Sequence, residues 1–357
     1  METATAHISR RCRPFIASAV SIILGSAISA AAPMGTRAAA EPLMSKWKDS
    51  YIRSNLVDPT LTKRIRIEYR AHNGARRAAF VLVPRSYEPG RPIPLVISPH
   101  GRGVSAKDNA GRWGNLPAIG QFAVVSPGGQ GEHLRLFSWG APGQIEDLAR
   151  MPDVVSRALP WLEVDRDRIY AFGGSMGGQE TLLLAAKHPE LLAGAAAIDS
   201  LVDFPLQYRN FPRVACKAAC RSAWGGPIGL SLQKFAAVEV GGTPRAAPAA
   251  YEARSPLTFA KQLAASCVPL QIWWSKTDGT VLDADRQSGR MYRALVQQNS
   301  RAPIEEFVGD WPHTQAMRAE TDLPRMLAGL GLLSVSFDVE RLNAVHHGIH
   351  ANPGCLG

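Results

Sequence analysis

The stretch Gly173-Gly174-Ser175-Met176-Gly177-Gly178 constrains this chain more than any other. It follows an apolar run at 168–172 that reads as a strand. It precedes a Leu- and Ala-rich segment at 179–188 that reads as a helix stopped by Pro189. A strand that turns directly into a helix bends so sharply that side chains beside the turn would collide with both elements. Glycine therefore flanks Ser175, and the one projecting side chain is a hydroxyl at the carboxyl end of a sheet. The amino terminus of the following helix also favours negative charge developing there.

Short apolar runs at 93–98, 123–126, 193–198, 270–274 and 304–308 suit strands buried on both faces. Segments at 61–69 and 78–83, with Asn73-Gly74 in the turn between them, read as two edge strands. Helical patterns fall at 152–162, 284–298 and 317–330, the last with Pro324 inside it, and 304–308 reads as the final strand. Strands alternating with helices predict an open, mostly parallel α/β sheet flanked by helices. Residues 200–266 break the rhythm with Pro205, Pro212 and Gly225-Gly226-Pro227, and read as a cap-like insertion. Apolar residues make up 46% of the 357 and charged residues 20%, which excludes a disordered chain; the 32 Gly and 26 Pro have no fixed period, which excludes a repeat array.

A serine hydroxyl needs a base, and the base needs an orienting acid. After a turn of this kind the expected chain order is serine, then Asp or Glu, then His. Asp278 lies in the loop after the 270–274 strand and is the expected acid; Asp199, after the preceding strand, competes with it. Asp283 and Asp285 are read as helix caps. His313, in the loop after 304–308, is the expected base, whereas His346, His347 and His350 occupy a Gly-rich tail. Oxyanion donors are expected from the Met176 N–H and from Gly101 or Arg102 in His100-Gly101-Arg102-Gly103, where glycine permits close backbone approach. His100 is read as bracing that loop. Trp113, Trp139, Trp224 and Trp311 are pocket candidates, and Trp273 and Trp274 beside the acid loop are expected to shape the pocket.

With these residues in view, 60–330 resembles the α/β-hydrolase superfamily, and most closely secreted esterases related to the catalytic domain of prolyl-oligopeptidase-type serine peptidases. The resemblance rests on His100-Gly101-Arg102-Gly103, on Val164-Asp165-Arg166-Asp167-Arg168-Ile169-Tyr170 leading into the Ser175 turn, on Ser255-Pro256-Leu257, and on Asp278 with Val281 and His313. It implies hydrolysis of carboxylic esters through an acyl-enzyme, with no metal or cofactor, on small or polymeric ester substrates. A serine peptidase or an exported acyltransferase would use the same groups. The chain departs from the pattern at Trp274-Ser275-Lys276-Thr277-Asp278, where a Gly is usual ahead of the acid, and at Thr314, where a smaller residue usually follows the base.

The ends read differently from the middle. Residues 1–40 combine Arg10, Arg11 and Arg13, an apolar stretch from Phe15 to Ala32, and Ala38-Ala39-Ala40 before Glu41, as in a secretory signal peptide. The remainder, a catalytic domain at 41–336 and a tail at 337–357, is expected in the periplasm, the cell envelope or the medium, without a membrane span. Cleavage removes Cys12 and leaves Cys216, Cys220, Cys267 and Cys355, an even number suited to two disulfides in an oxidising compartment. The net charge of +10 is spread over scattered Arg residues with no basic block, which argues against a nucleic-acid partner.

Overall fold

A computed structural model describes residues 59–129, 139–214, 228–333, 345–348 and 355. The expected signal segment, Trp224, His350 and the pair Cys216 and Cys220 lie outside these residues.

The strands are β1 (Thr62–Arg70), β2 (Arg76–Pro84), β3 (Ile93–Ile97), β4 (Ala123–Pro127), β5 (Val164–Gly174), β6 (Gly194–Ile198), β7 (Leu270–Ser275), β8 (Ile304–Gly309) and β9 (Val345–Gly348). The helices used below are α1 (Ala106–Gly111), α2 (Pro142–Ala149), α3 (Met151–Ala158), α4 (Met176–Lys187), α5 (Phe204–Asn210), α6 (Ile228–Val240), α7 (Ala260–Ser266), α8 (Ser288–Gln298) and α9 (Leu323–Gly329).

One sheet runs in the order β1-β2-β4-β3-β5-β6-β7-β8-β9. From β4 to β8 all neighbours are parallel, while β1, β2 and β9 join antiparallel. The apolar runs became strands because a parallel sheet covered on both faces offers no wet side: every residue of β3, β4, β6 and β7 is buried. The two-residue period sorts their side chains. Leu95, Ile97, Ile169 and Ala171 enter one apolar layer with Leu182, Leu183 and Leu184 of α4. Val96, Tyr170 and Phe172 enter the opposite layer with Trp113, Phe122, Trp273 and Trp311. The edge strand β1 instead alternates buried and exposed positions.

Chain order reverses between β3 and β5, which lie side by side although β4 comes between them in sequence. At such a switch point the loops leaving the carboxyl ends turn to opposite faces and open a crevice, the usual ligand position in an open α/β sheet.

Several boundaries differ from the sequence reading. Residues 142–158 form two helices, α2 and α3, because Arg150 interrupts them and Pro152 sits where a new helix tolerates proline. The last helix spans only Leu323–Gly329, with Pro324 in its first turn. Rather than bending a long helix, Pro324 starts a short one. Within 200–266, α7 packs Leu263 and Ala264 into the main core as the crossover between β6 and β7, so the part standing over the sheet ends before it. The tail adds β9 against β8, with His346 opposite Phe307 and His347 opposite Glu306, so β8 is not the final strand. Cys267 is bonded to Cys355 with their Cα atoms 6.0 Å apart.

Candidate active site

Ser175 sits at φ 60° and ψ −125°, a backbone state that a residue with a side chain adopts only when its surroundings impose it. The surroundings here are backbone. A Cβ on Gly173 would lie 2.2 Å from the Gly177 carbonyl oxygen, and one on Gly177 would lie 2.3 Å from the Pro99 carbonyl oxygen. Ser175 N–H donates to the Ile198 carbonyl of the neighbouring strand (2.9 Å), and its carbonyl accepts from Gln179 N–H (3.0 Å). The turn is therefore pinned between β6, the first turn of α4 and the loop after β3.

That last loop carries the expected oxyanion donors. A Cβ on Gly101 would stand 3.7 Å from Ser175 Cβ, so the backbone of Gly101 runs beside the serine. Met176 is wholly buried and opens α4, where amides have no carbonyl of their own helix to bond. The Arg102 side chain reaches the insertion. Its guanidinium donates to Glu239 of α6 (Nη1 to Oε2, 2.9 Å) and lies 5.2 Å over the ring of Trp139. His100 is buried; its Nε2 accepts from Gly129 N–H (3.0 Å), which leaves Nδ1 to donate to the Gly101 carbonyl (2.9 Å). The ring thereby fastens the loop after β3 to the loop after β4.

His313 Nδ1 is 2.7 Å from Asp278 Oδ2. The other oxygen of Asp278 accepts from the N–H groups of Thr280 (2.7 Å) and Val281 (3.0 Å), which fixes the carboxylate plane. An acceptor at Nδ1 assigns the proton to that nitrogen and leaves Nε2 as the basic one. Burial of the ring opposes its protonation and is the largest single influence. The charge and hydrogen bond of Asp278, with the charge of Asp199, outweigh it and hold His313 above the ordinary histidine value.

Asp199 is engaged by other donors. It accepts from Ser275 N–H (2.9 Å), Thr314 N–H (2.7 Å) and Trp311 Nε1–H (3.0 Å), tying the loop after β7 to the loop that carries His313. Ser275 Oγ adds a second tie, donating to the Trp311 carbonyl (2.6 Å) and accepting from its N–H (2.8 Å). Burial, followed by the nearby charge of Asp278, raises the pKa of Asp199. Asp199, Asp278 and His313 lie close enough to hold a metal ion, but the acceptor atoms of both carboxylates are occupied by the N–H donors just described.

Ser175 and His313 line one cavity of about 110 Å³, walled by Arg102, Trp139, Phe211, Leu232 and Val281 among others. Of the tryptophans considered, Trp139 reaches this cavity. Trp113 and Trp311 are buried in the core, and Trp273 stacks on Phe307 with ring centroids 3.9 Å apart. Trp274 donates to Glu306 and packs in the core. Asp283 stands at the N-cap position of the 3-10 turn Ala284–Arg286 without a side-chain cap bond, Asp285 lies in that turn, and the two pair with Arg213 and Arg293. The sequence reading missed Gln207 and Leu232 of the insertion, and the clamp role of Asp199. For the last, the signal was a lone acid ending an all-apolar strand.

No family model matches the chain. The NocK protein of Nocardia uniformis subsp. tsuyamanensis, whose name places it with the esterases, is 35% identical over 127 residues, which cover 32% of this chain and 35% of that protein. Poly(3-hydroxyalkanoate) depolymerase C of Paucimonas lemoignei is 31% identical over 112 residues, which cover 29% of this chain and 27% of that protein. The matches thus span about a third or less of these relatives' own lengths. Among solved structures, the acylaminoacyl peptidase of Pyrococcus horikoshii superposes with a TM-score of 0.53 at 17% identity, over 73% of this chain and 39% of that one. The chain has the α/β-hydrolase fold.

Two outcomes are expected. Gly177→Ala forces a methyl group against the Pro99 carbonyl and should destabilise the fold by about 1–3 kcal/mol, read as a lower urea midpoint. An NMR titration should place His313 above an ordinary histidine, and Asp278→Asn should lower it by removing the neighbouring charge.

Proposed function

We propose that this chain is a serine hydrolase that cleaves carboxylic esters through an acyl-enzyme. The hydrogen bond between Asp278 and His313, with His313 lining the same cavity as a serine on a strained strand-to-helix turn, is the observation that carries the reading. Ser175 Oγ attacks the ester carbonyl while His313 Nε2 takes its proton. The oxygen that becomes negative is held by the N–H of Met176 and by an N–H from the Gly101-Arg102 turn. The C–O bond to the alcohol then breaks, and the alcohol leaves with the proton from His313. Water attacks the acyl-enzyme, His313 accepts its proton, and the acid departs as Ser175 recovers its hydrogen. Asp278 keeps the imidazole in the reactive tautomer and balances its charge while it is protonated.

The names of the two relatives favour an ester over a peptide bond, and the depolymerase admits polymeric esters among the substrates. The basic and apolar start of the chain supports export, and no helix among the described residues is long and apolar enough to cross a membrane.

The deciding experiment is labelling with a fluorophosphonate followed by a panel of aryl esters and peptide anilides. Label on Ser175 with ester turnover supports the reading; no label and no turnover overturns it. Ser175→Ala should lower kcat by roughly 10⁶-fold and Asp278→Asn by roughly 10⁴-fold. A crippled Asp199→Asn beside a mildly affected Asp278→Asn would transfer the acid's role to Asp199. In an oxidising compartment the Cys267–Cys355 bond persists, and its reduction should cost about 2–4 kcal/mol of stability, measured as a shift in the urea midpoint.

A further inference from the structure

The cavity that Ser175 and His313 line is small, and its walls are largely apolar. Trp139, Leu201, Phe211, Leu232 and Val281 form them, each 5% exposed or less. All five belong to one apolar cluster, distinct from the two layers packed on the sheet. The charge of Arg102, which also lines the cavity, is answered by Glu239. Both oxygens of that carboxylate accept from the guanidinium, and the two side chains are 5% and 2% exposed. The Gln207 amide donates to the Thr280 carbonyl at 2.9 Å. Apart from the catalytic groups, these walls offer contact surface to an apolar group and no charge in need of a counterion.

Size then limits what can enter. An apolar cavity of about 150 Å³ holds one benzene ring, so one of about 110 Å³ holds in proportion about four carbon atoms. The walls are not free to retreat. The Trp139 ring, the largest of them, lies 5.4 Å from the Phe204 ring and 5.3 Å from the Phe211 ring, with the Arg102 guanidinium 5.2 Å over its face. Phe204 packs in turn on Tyr251, with ring centroids 4.7 Å apart. The Trp139 backbone is held as well, because its carbonyl accepts from Gln179 Nε2 at 3.1 Å. Swinging the indole aside would break the contact with Arg102 and leave a void among the rings, and a close-packed interior resists both. A short chain fills the space and buries its methylenes, whereas a long one must displace the wall.

We propose that this cavity is a short-chain pocket, with Trp139 and Leu232 setting its limit. The preferred ester carries, on one side of its carbonyl, an uncharged apolar group of about four carbons or fewer. The inference rests on the serine hydrolase reading and narrows its substrate class. The short group can belong to the acyl part or to the alcohol, and two substrate arms separate these sources.

The test follows kcat/KM of the full chain by pH-stat for methyl acetate, methyl butanoate and methyl octanoate, and for ethyl, butyl and octyl acetate. Fluorophosphonate labelling of Ser175 is measured in parallel. In one arm the butanoate or butyl ester should exceed the octanoate or octyl ester by about 10-fold or more. Trp139→Ala, which removes the largest wall, should bring that ratio close to unity. Leu232→Phe, which adds a ring to the cavity, should move the preference to the acetate or ethyl ester. It places bulk in open space, so it decides the matter if Trp139→Ala fails to fold. Labelling with octyl chains turned over as fast as butyl chains or faster in both arms would overturn the pocket inference and leave the hydrolase reading standing. So would a chain-length limit that Leu232→Phe does not move, or labelling without turnover of any short ester. Neither labelling nor turnover would overturn both.

Discussion

The parallel run from β4 to β8 sends the loops that carry chemistry off the same edge of one sheet. The turn at Ser175 follows β5, Asp199 follows β6, Asp278 follows β7 and His313 follows β8. Loops more than a hundred positions apart in sequence are therefore delivered to the same edge. The reversal of chain order between β3 and β5 brings the loop carrying Gly101 and Arg102 against the serine from the other side. Antiparallel pairing at those positions would send alternate loops to opposite ends and scatter the same residues.

Convergence at an edge is coarse, and buried polar ties refine it. Asp199 and Ser275 bind the backbone around Trp311 and Thr314, and His100 joins the loops after β3 and β4. These groups lie in the low-dielectric interior, where a satisfied hydrogen bond is strong and an unsatisfied one costly. Each tie has few alternatives and so holds its loop in one place. The insertion is fastened by the same logic: Arg102 reaches from the loop beside Ser175 to Glu239 of α6, with both side chains almost wholly buried. A charge pair sealed in this way costs desolvation, and its geometry fixes where the cap sits over the cavity.

Strand and helix boundaries were legible to the extent that local pattern decides them. Runs such as Leu270-Gln271-Ile272-Trp273-Trp274 are readable because sheet burial acts on each residue separately. The failures arose where a distant partner decides. Nothing in Val345-His346-His347-Gly348 marks it as a strand; it becomes one because the edge of β8 is open to pair with it. Trp113, Trp139 and Trp311 are alike as sequence. One enters the cavity and two enter the core because of what lies above and below each, which no window of neighbouring residues contains.

The sequence alone determined the turn at Ser175, since only glycine at Gly173 and Gly177 lets two backbones approach so closely. Tertiary structure alone decided which carboxylate meets His313. Asp199 and Asp278 both follow parallel strands, and the difference between them is one of direction. Asp278 is turned by two backbone amides toward the imidazole, whereas Asp199 is drawn by three N–H donors into the wall that supports it.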